Sequence, residues 1–176
     1  VFCHTAEITG RRRAFAPLAG RAAAEKPGPT RVTWTQEGHV FERIMVPVDL
    51  THAERLEKAL QCAADLAVQY SATVVYVGVT TEQPSSIAHT PEEYGEKLVA
   101  FAKEQATKRG ISTEAKAYAS HDPSVDLDPT LLRAVDEVTA DLVVMASHIP
   151  NVADHWWPAN GGSIATQAKI SVMLVR

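Results

Sequence analysis

The sequence predicts an α/β domain built on a five-stranded parallel sheet. From residue 41 onward, short β-branched or apolar runs alternate with stretches of helical hydrophobic spacing, the pattern of right-handed β–α–β crossovers. Two of the strand-like runs, Val74–Val77 and Leu142–Ala146, are continuously apolar, as strands covered on both faces must be. The 176-residue chain is 45% hydrophobic, enough for the core of one domain, and its ten prolines and nine glycines are too few for a low-complexity or collagen-like chain.

Arg43-Ile-Met-Val-Pro-Val-Asp49 reads as the first strand, an apolar run closed by a carboxylate. Thr51, with Glu54 three residues on, forms a capping box and predicts a helix start. Ala53, Leu56, Leu60, Ala63, Ala64 and Ala67 follow at three- and four-residue spacing as its buried stripe. Thr73-Val-Val-Tyr-Val-Gly-Val79 is the second strand. Thr90-Pro91-Glu92-Glu93 supplies a cap, a proline at the first helical position and acids in the first turn. Tyr94, Leu98, Phe101 and Ala102 form the stripe of that second helix, and Gly110 stops it.

Ser112–Ala119 is a more polar strand, suited to a sheet edge. Asp128-Pro129 predicts the start of a third helix with Leu131, Leu132, Val135 and Val138 inward. Leu142-Val-Val-Met-Ala146 is the most buried-looking strand. A loop over 147–160 leads to a short helix at about 161–169 and a last strand, Ser171–Val175.

Residues 1–39 follow no period. They carry six basic and three acidic side chains, a net +3, and leave −7 on residues 40–176. They are poor in serine and contain Glu7, Glu25 and Glu37, which argues against a transit peptide. The expectation is an extension outside the fold, flexible or non-native, followed by one domain over 40–176. The clean onset at Val40 is what a GTG initiation codon read as valine would give.

A domain at −7 repels nucleic acid and anionic lipid, since neutralised phosphates supply most non-specific affinity. No apolar run approaches the roughly 18 residues of a membrane helix. Cys3 and Cys62 make no disulfide framework. The expectation is a soluble cytoplasmic protein with no nucleic-acid or membrane partner.

In a parallel sheet, ligands bind beyond the carboxyl ends of the strands, where strand order reverses. The residues there are Asp49, Thr80, Ser120-His121-Asp122 and Ser147-His148. No GxGxxG, GxxxxGK[ST] or GxSxG is present, so the dinucleotide, P-loop and nucleophile-elbow sites are not expected. Cys62, inside a helix with no cationic neighbour in sequence, reads as a packing residue. His148, Asp154 and His155 share a loop but lack HExxH or HxH spacing, and no metal site is expected. Trp156-Trp157-Pro158 reads as packing beneath that loop. Asp49 has two readings of equal weight: an acceptor for a ribose hydroxyl or adenine amino group, or a turn acceptor for the helix that follows.

These blocks, RIMVPVDL, LEKALQCAADLA, VVYVGV, DLVVMASH and SVMLVR, resemble in order and spacing the universal stress protein family over residues 41–176. The resemblance implies a doubly wound, Rossmann-like sheet of order 3-2-1-4-5 with helices on both faces. It further implies a cytoplasmic, largely non-enzymatic protein linked to stress, with a homodimer paired through the last strand. One branch of the family binds ATP through G-x-x-G, nine residues, then G-[ST] after the fourth strand. Here Ala146 and Ile149 stand in place of the first two glycines, and Ala159-Asn160 or Pro158-Ala159 in place of the last pair. A β-branched Ile149 disfavours the turn that points amides inward, and Pro150 deletes a donor.

Two functional readings follow. The first is a non-enzymatic stress-response dimer with no required cofactor, acting through a regulatory protein partner. The second is an adenine-nucleotide sensor for ATP or AMP. Its candidate residues are Asp49, Val77 (with Val75 as an alternative backbone contact), Ala146, Ser147 and His148, with Gly161, Gly162 and Ser163 at a helix N-terminus. Neither reading assigns a catalytic residue.

Overall fold

A computed structural model of the chain describes residues 39–146 and 160–176. The chain divides into two units, Val1–Thr35 and Gln36–Arg176, and every described residue lies in the second. The expected extension lies, His39 apart, outside the described residues, as does the loop carrying His148, Asp154 and Trp156.

Five strands form one all-parallel sheet: β1 (Arg43–Pro47), β2 (Thr73–Thr81), β3 (Ser112–Ser120), β4 (Leu142–Ala146) and β5 (Ser171–Val175). The order is β3-β2-β1-β4-β5, as the resemblance implied. The connections are α1 (Glu57–Tyr70), α2 (Pro91–Arg109), α3 (Pro123–Glu137) and α4 (Asn160–Gln167). Side chains alternate across a strand, so each central strand feeds two cores. Ile44, Val46, Val74, Tyr76, Leu142 and Val144 pack with α1 and α2. Met45, Val75, Val77, Val143 and Met145 pack with α3 and Ile164 of α4. Burial on both faces is why these strands read as unbroken apolar runs. Cys62 is half-buried and packs against the α1–α2 core.

The α2 signals act as read. The Thr90 hydroxyl accepts from Glu93 N–H at 3.2 Å, and Gly110 closes the helix at φ 65°. The starts of α1 and α3 differ from expectation. Asp49, not Thr51, is the cap after β1, and it starts a 3-10 segment, Leu50–Leu56, that is broken at His52 (φ −128°, ψ 32°). The α-helix proper begins only at Glu57. Both side chains are good caps, and the one standing where the chain leaves the strand takes the amides. Likewise α3 begins at Pro123, and Pro129 lies inside it. The carbonyl of Asp122 accepts from Val125 N–H at 3.1 Å and Asp126 N–H at 2.9 Å, opening the helix one Asp-Pro pair earlier.

Candidate functional site

β1 and β2 end at different heights. Their pairing stops at Pro47↔Val77, and the Val48 N–H donates to the Val77 carbonyl at 2.8 Å. β2 continues beside β3 to Thr81. In the step so formed lies a cavity of about 290 Å³, between the ends of β1 and β2, beside the β1–β4 boundary at which the strand order reverses. That is the small end of the ligand-pocket range, about 300 to 1,000 Å³.

Five parts of the chain wall it. The end of β1 and the 3-10 segment bring Asp49, Thr51 and His52; β2 brings Val77, Val79, Thr80 and Thr81. The loop after β2 adds Ser85, Ser86 and Ile87, α2 adds Tyr94, and α3 adds Leu127 and Leu131. Asp49 is the one carboxylate among the described lining residues, which include no Lys or Arg.

Asp49 is fixed on both oxygens. Oδ1 accepts from Thr51 N–H at 2.8 Å, and Oδ2 lies 2.8 Å from His52 Nδ1, with the side chains 20% and 30% exposed respectively. Tyr94 is buried, with its hydroxyl close to the Leu50 backbone. Burial drives the Tyr94 pKa far up, the charge of Asp49 adds to the rise, and the nearby Leu50 backbone opposes it. On the opposite rim Ser85 organises a tight turn. Its hydroxyl accepts from Ile87 and Ala88 N–H at 3.3 and 3.2 Å, and its own N–H donates to the Ala88 carbonyl at 2.8 Å. That turn sets Ser86 and Ile87 at the mouth.

The structure brings Asp49 and Val77 together in the crevice. The Val77 carbonyl there already accepts from β1. Ala146 sits half-buried at the end of β4, packed on the α1–α2 core. Ser147 and His148 lie outside the described residues. Gly161, Gly162 and Ser163 form the first turn of α4 and are not among the described lining residues. A Cβ at Gly161 would stand 2.8 Å from Leu174 Cδ2, so this glycine lets α4 approach β5; Gly162 faces open space.

Sequence reasoning did not assign His52 or Tyr94 to the crevice, nor Gly78, which lies behind Tyr94. His52 was hidden by the capping box, which placed it inside a regular helix. Tyr94 was assigned to the core stripe of α2, and it serves both. Gly78 gave a usable signal, because an isolated glycine in a strand pattern marks close approach by another group. Here that group is the ring of Tyr94.

The sequence model of one family, described as the universal stress protein family, matches residues 41–176. Solved structures share the fold. A universal stress protein from Archaeoglobus fulgidus is 19% identical with a TM-score of 0.57, covering 77% of this chain and 98% of that one. A member of the universal stress protein family from Burkholderia pseudomallei is 22% identical with a TM-score of 0.56, covering 79% and 98%. The universal stress protein from Archaeoglobus fulgidus in complex with dAMP is 19% identical with a TM-score of 0.55, covering 78% and 99%. No curated protein matches the chain by sequence.

Proposed function

The chain belongs to the universal stress protein family, and we propose that its crevice is a receptor site for an adenine nucleoside or mononucleotide, bound without turnover and without a further cofactor. The observation that carries this reading is Asp49 on the wall of a 290 Å³ cavity whose remaining lining is mostly apolar or hydroxylic. A flat base buries its faces against Val79, Leu127 and Leu131, while ribose hydroxyls donate to a carboxylate. Each Asp49 oxygen has two lone-pair directions and each spends one, on Thr51 and on His52, leaving acceptor capacity for a sugar.

The base-reading backbone on this view is Val79 rather than Val75 or Val77. Backbone groups alternate sides along a strand, so Val79 faces the same way as Val77 but beyond the last paired residue of β1. Its N–H and C=O form a donor and acceptor side by side, complementary to the adjacent acceptor and amino donor of adenine. The dAMP complex of the Archaeoglobus fulgidus protein supports a ligand of this class. With no Lys or Arg among the described lining residues, a nucleoside or monophosphate suits the crevice better than ATP.

The test is calorimetric titration of the full chain with AMP and with adenosine, beside Asp49→Asn. Asparagine keeps the acceptor for Thr51 N–H, so the cap survives while the charge is lost. Micromolar binding weakened about tenfold or more by the variant is expected, since hydrogen bonds to charged groups contribute about 1.5–3 kcal/mol. No heat with either ligand up to millimolar concentration overturns the reading.

A second reading, a cytoplasmic homodimer paired through β5 and acting on a regulatory protein partner, is favoured by one observation. β5 ends the sheet, and its Met173 and Leu174 are 40% and 39% exposed. An apolar edge of this kind is covered most simply by a two-fold copy of itself. The two readings are compatible, because the crevice lies toward β2 and this edge lies beyond β4.

A further inference from the structure

We propose that residues 82–89 form a strap across the mouth of the crevice and that Lys97 is the clasp that holds it shut, so that the strap gates the entry and exit of ligand without setting its affinity. This rests on the crevice being an adenine site, and the experiment below separates the two claims.

The strap leaves the ends of β2 and β3 and runs to α2. At its start, Glu82 N–H donates to the Ser120 carbonyl at 3.3 Å, and Gln83 N–H donates to the Thr81 hydroxyl at 3.1 Å. The turn from Ser85 to Ala88 then closes on itself, the Ser85 hydroxyl also donating to the Ala88 carbonyl at 3.1 Å. Ser85, Ser86 and Ile87 of this turn line the crevice. Its own hydrogen bonds are spent internally, so the turn moves as one piece, and its ties to the rest of the chain decide whether it lifts. A cavity of about 290 Å³ has little room beyond a nucleoside, so passage requires that lift.

The ties at the far end are on α2. The Lys97 ammonium donates to the Ile87 carbonyl and, at 2.7 Å, to Glu93 Oε1. The other oxygen of Glu93 accepts from His89 N–H at 2.7 Å. The two anchors grip the chain just before and just after Ala88, the one residue of the strap buried in the α1–α2 core. Glu82, Gln83, Pro84, Ser86 and His89 are exposed. A segment held by one buried foot and by exposed hydrogen bonds opens at low cost. Glu93 and Lys97 are 35% and 48% exposed, and an exposed pair of this kind is readily broken and remade. Glu93 stands four residues before Lys97, the favoured order on a helix, which keeps the ammonium beside Ile87 while the strap is shut. Lys97 is not among the described lining residues, so it acts on a ligand through Ile87 and is a positioning residue. A gate crossed in both directions scales association and dissociation alike and leaves their ratio, the Kd, unchanged.

The test is an NMR lineshape titration of the full chain with adenosine and with AMP, in wild type and in Lys97→Met, which keeps the aliphatic stem and removes the donors. Both rate constants are expected to rise about three- to fivefold in the variant, for both ligands, with Kd within about twofold of wild type. Unchanged rate constants overturn the strap while leaving the adenine site standing. A Kd weakened through dissociation alone also overturns it, because Lys97 would then contribute to binding itself. Absence of binding by both ligands in wild type overturns the adenine site and this proposal together. Should Lys97→Met fail to fold, Glu93→Gln decides, since it keeps an acceptor for His89 N–H and loses the charge that holds Lys97. The same paired rise is expected there, and unchanged rate constants overturn the proposal.

Discussion

A Cβ placed on Gly78 of β2 would stand 2.6 Å from the Tyr94 hydroxyl and 2.7 Å from its Cε1, so the ring from α2 occupies space that any other residue of the strand would need. This close approach seats the phenol against the sheet and in the wall of the crevice that Asp49 also lines. One glycine thereby couples the packing of α2 to the wall of the crevice.

Gly78→Ala is therefore expected to destabilise the fold by about 1–3 kcal/mol, the usual result of overpacking a filled core. The clash is with ring atoms as well as the hydroxyl, so Tyr94→Phe does not relieve it. Combining Gly78→Ala with Tyr94→Leu is expected to cost less than the two single changes added together, because the smaller side chain removes the clash. Urea unfolding of the four proteins measures this. Strict additivity would show that the two residues do not compete for the same space.

At the other end of the sheet, Arg43 of β1 reaches across β2 to Glu114 of β3 with a two-pronged contact at 3.0 and 2.6 Å, and its Nε donates to the Val138 carbonyl at 2.7 Å. The Arg43 hydrogen bond holds the Glu114 carboxyl below its ordinary value of 4.5. A depressed carboxylate contributes stability above its unfolded value and loses it as the pH falls through the folded one. Glu114→Gln should thus be less stable than wild type at pH 7, by no more than about 1 kcal/mol because Glu114 is half-exposed. That difference should close as the pH is taken well below 4.5. Urea midpoints at pH 7 and pH 3 provide the check, and a gap that persists in acid would assign the effect to packing instead of charge.

For the proposed dimer, Met173 is a cleaner probe than Leu174. Leu174 packs on Gly161 from the α4 side, so replacing it disturbs the protomer itself. Met173 points to the opposite face by the alternation of the strand and is 40% exposed. Met173→Lys is expected to halve the mass seen in sedimentation at micromolar concentration while leaving the circular dichroism intact. An unchanged mass would move the interface away from β5.

Much of the fold was legible because its signals are local. The two-sided burial of β1, β2 and β4 is written as runs of valine and isoleucine, and the polar alternation of β3 marks the edge it occupies. The bounds of α2 follow from Thr90, Pro91 and Gly110, each of which acts on amides or dihedral angles within a turn of itself. Of the crevice, Asp49 was legible because a carboxylate at the end of the first strand is a positional feature of the sheet.

The amino-acid sequence by itself determined the kind and order of the elements, since hydrophobic period, caps and turn residues act over a few positions. The tertiary structure decided where equal local signals compete. Asp49 and Thr51 are both good caps, and Asp122-Pro123 and Asp128-Pro129 are the same dipeptide; the winner in each pair stands where the chain leaves its strand. It also decided which side chains meet. The contact of Gly78 with Tyr94 spans the loop between a strand and a helix, and the turn of His52 toward Asp49 depends on a backbone break that no residue pattern announces. Contacts of that kind depend on closing the chain around the sheet, which no local spacing encodes.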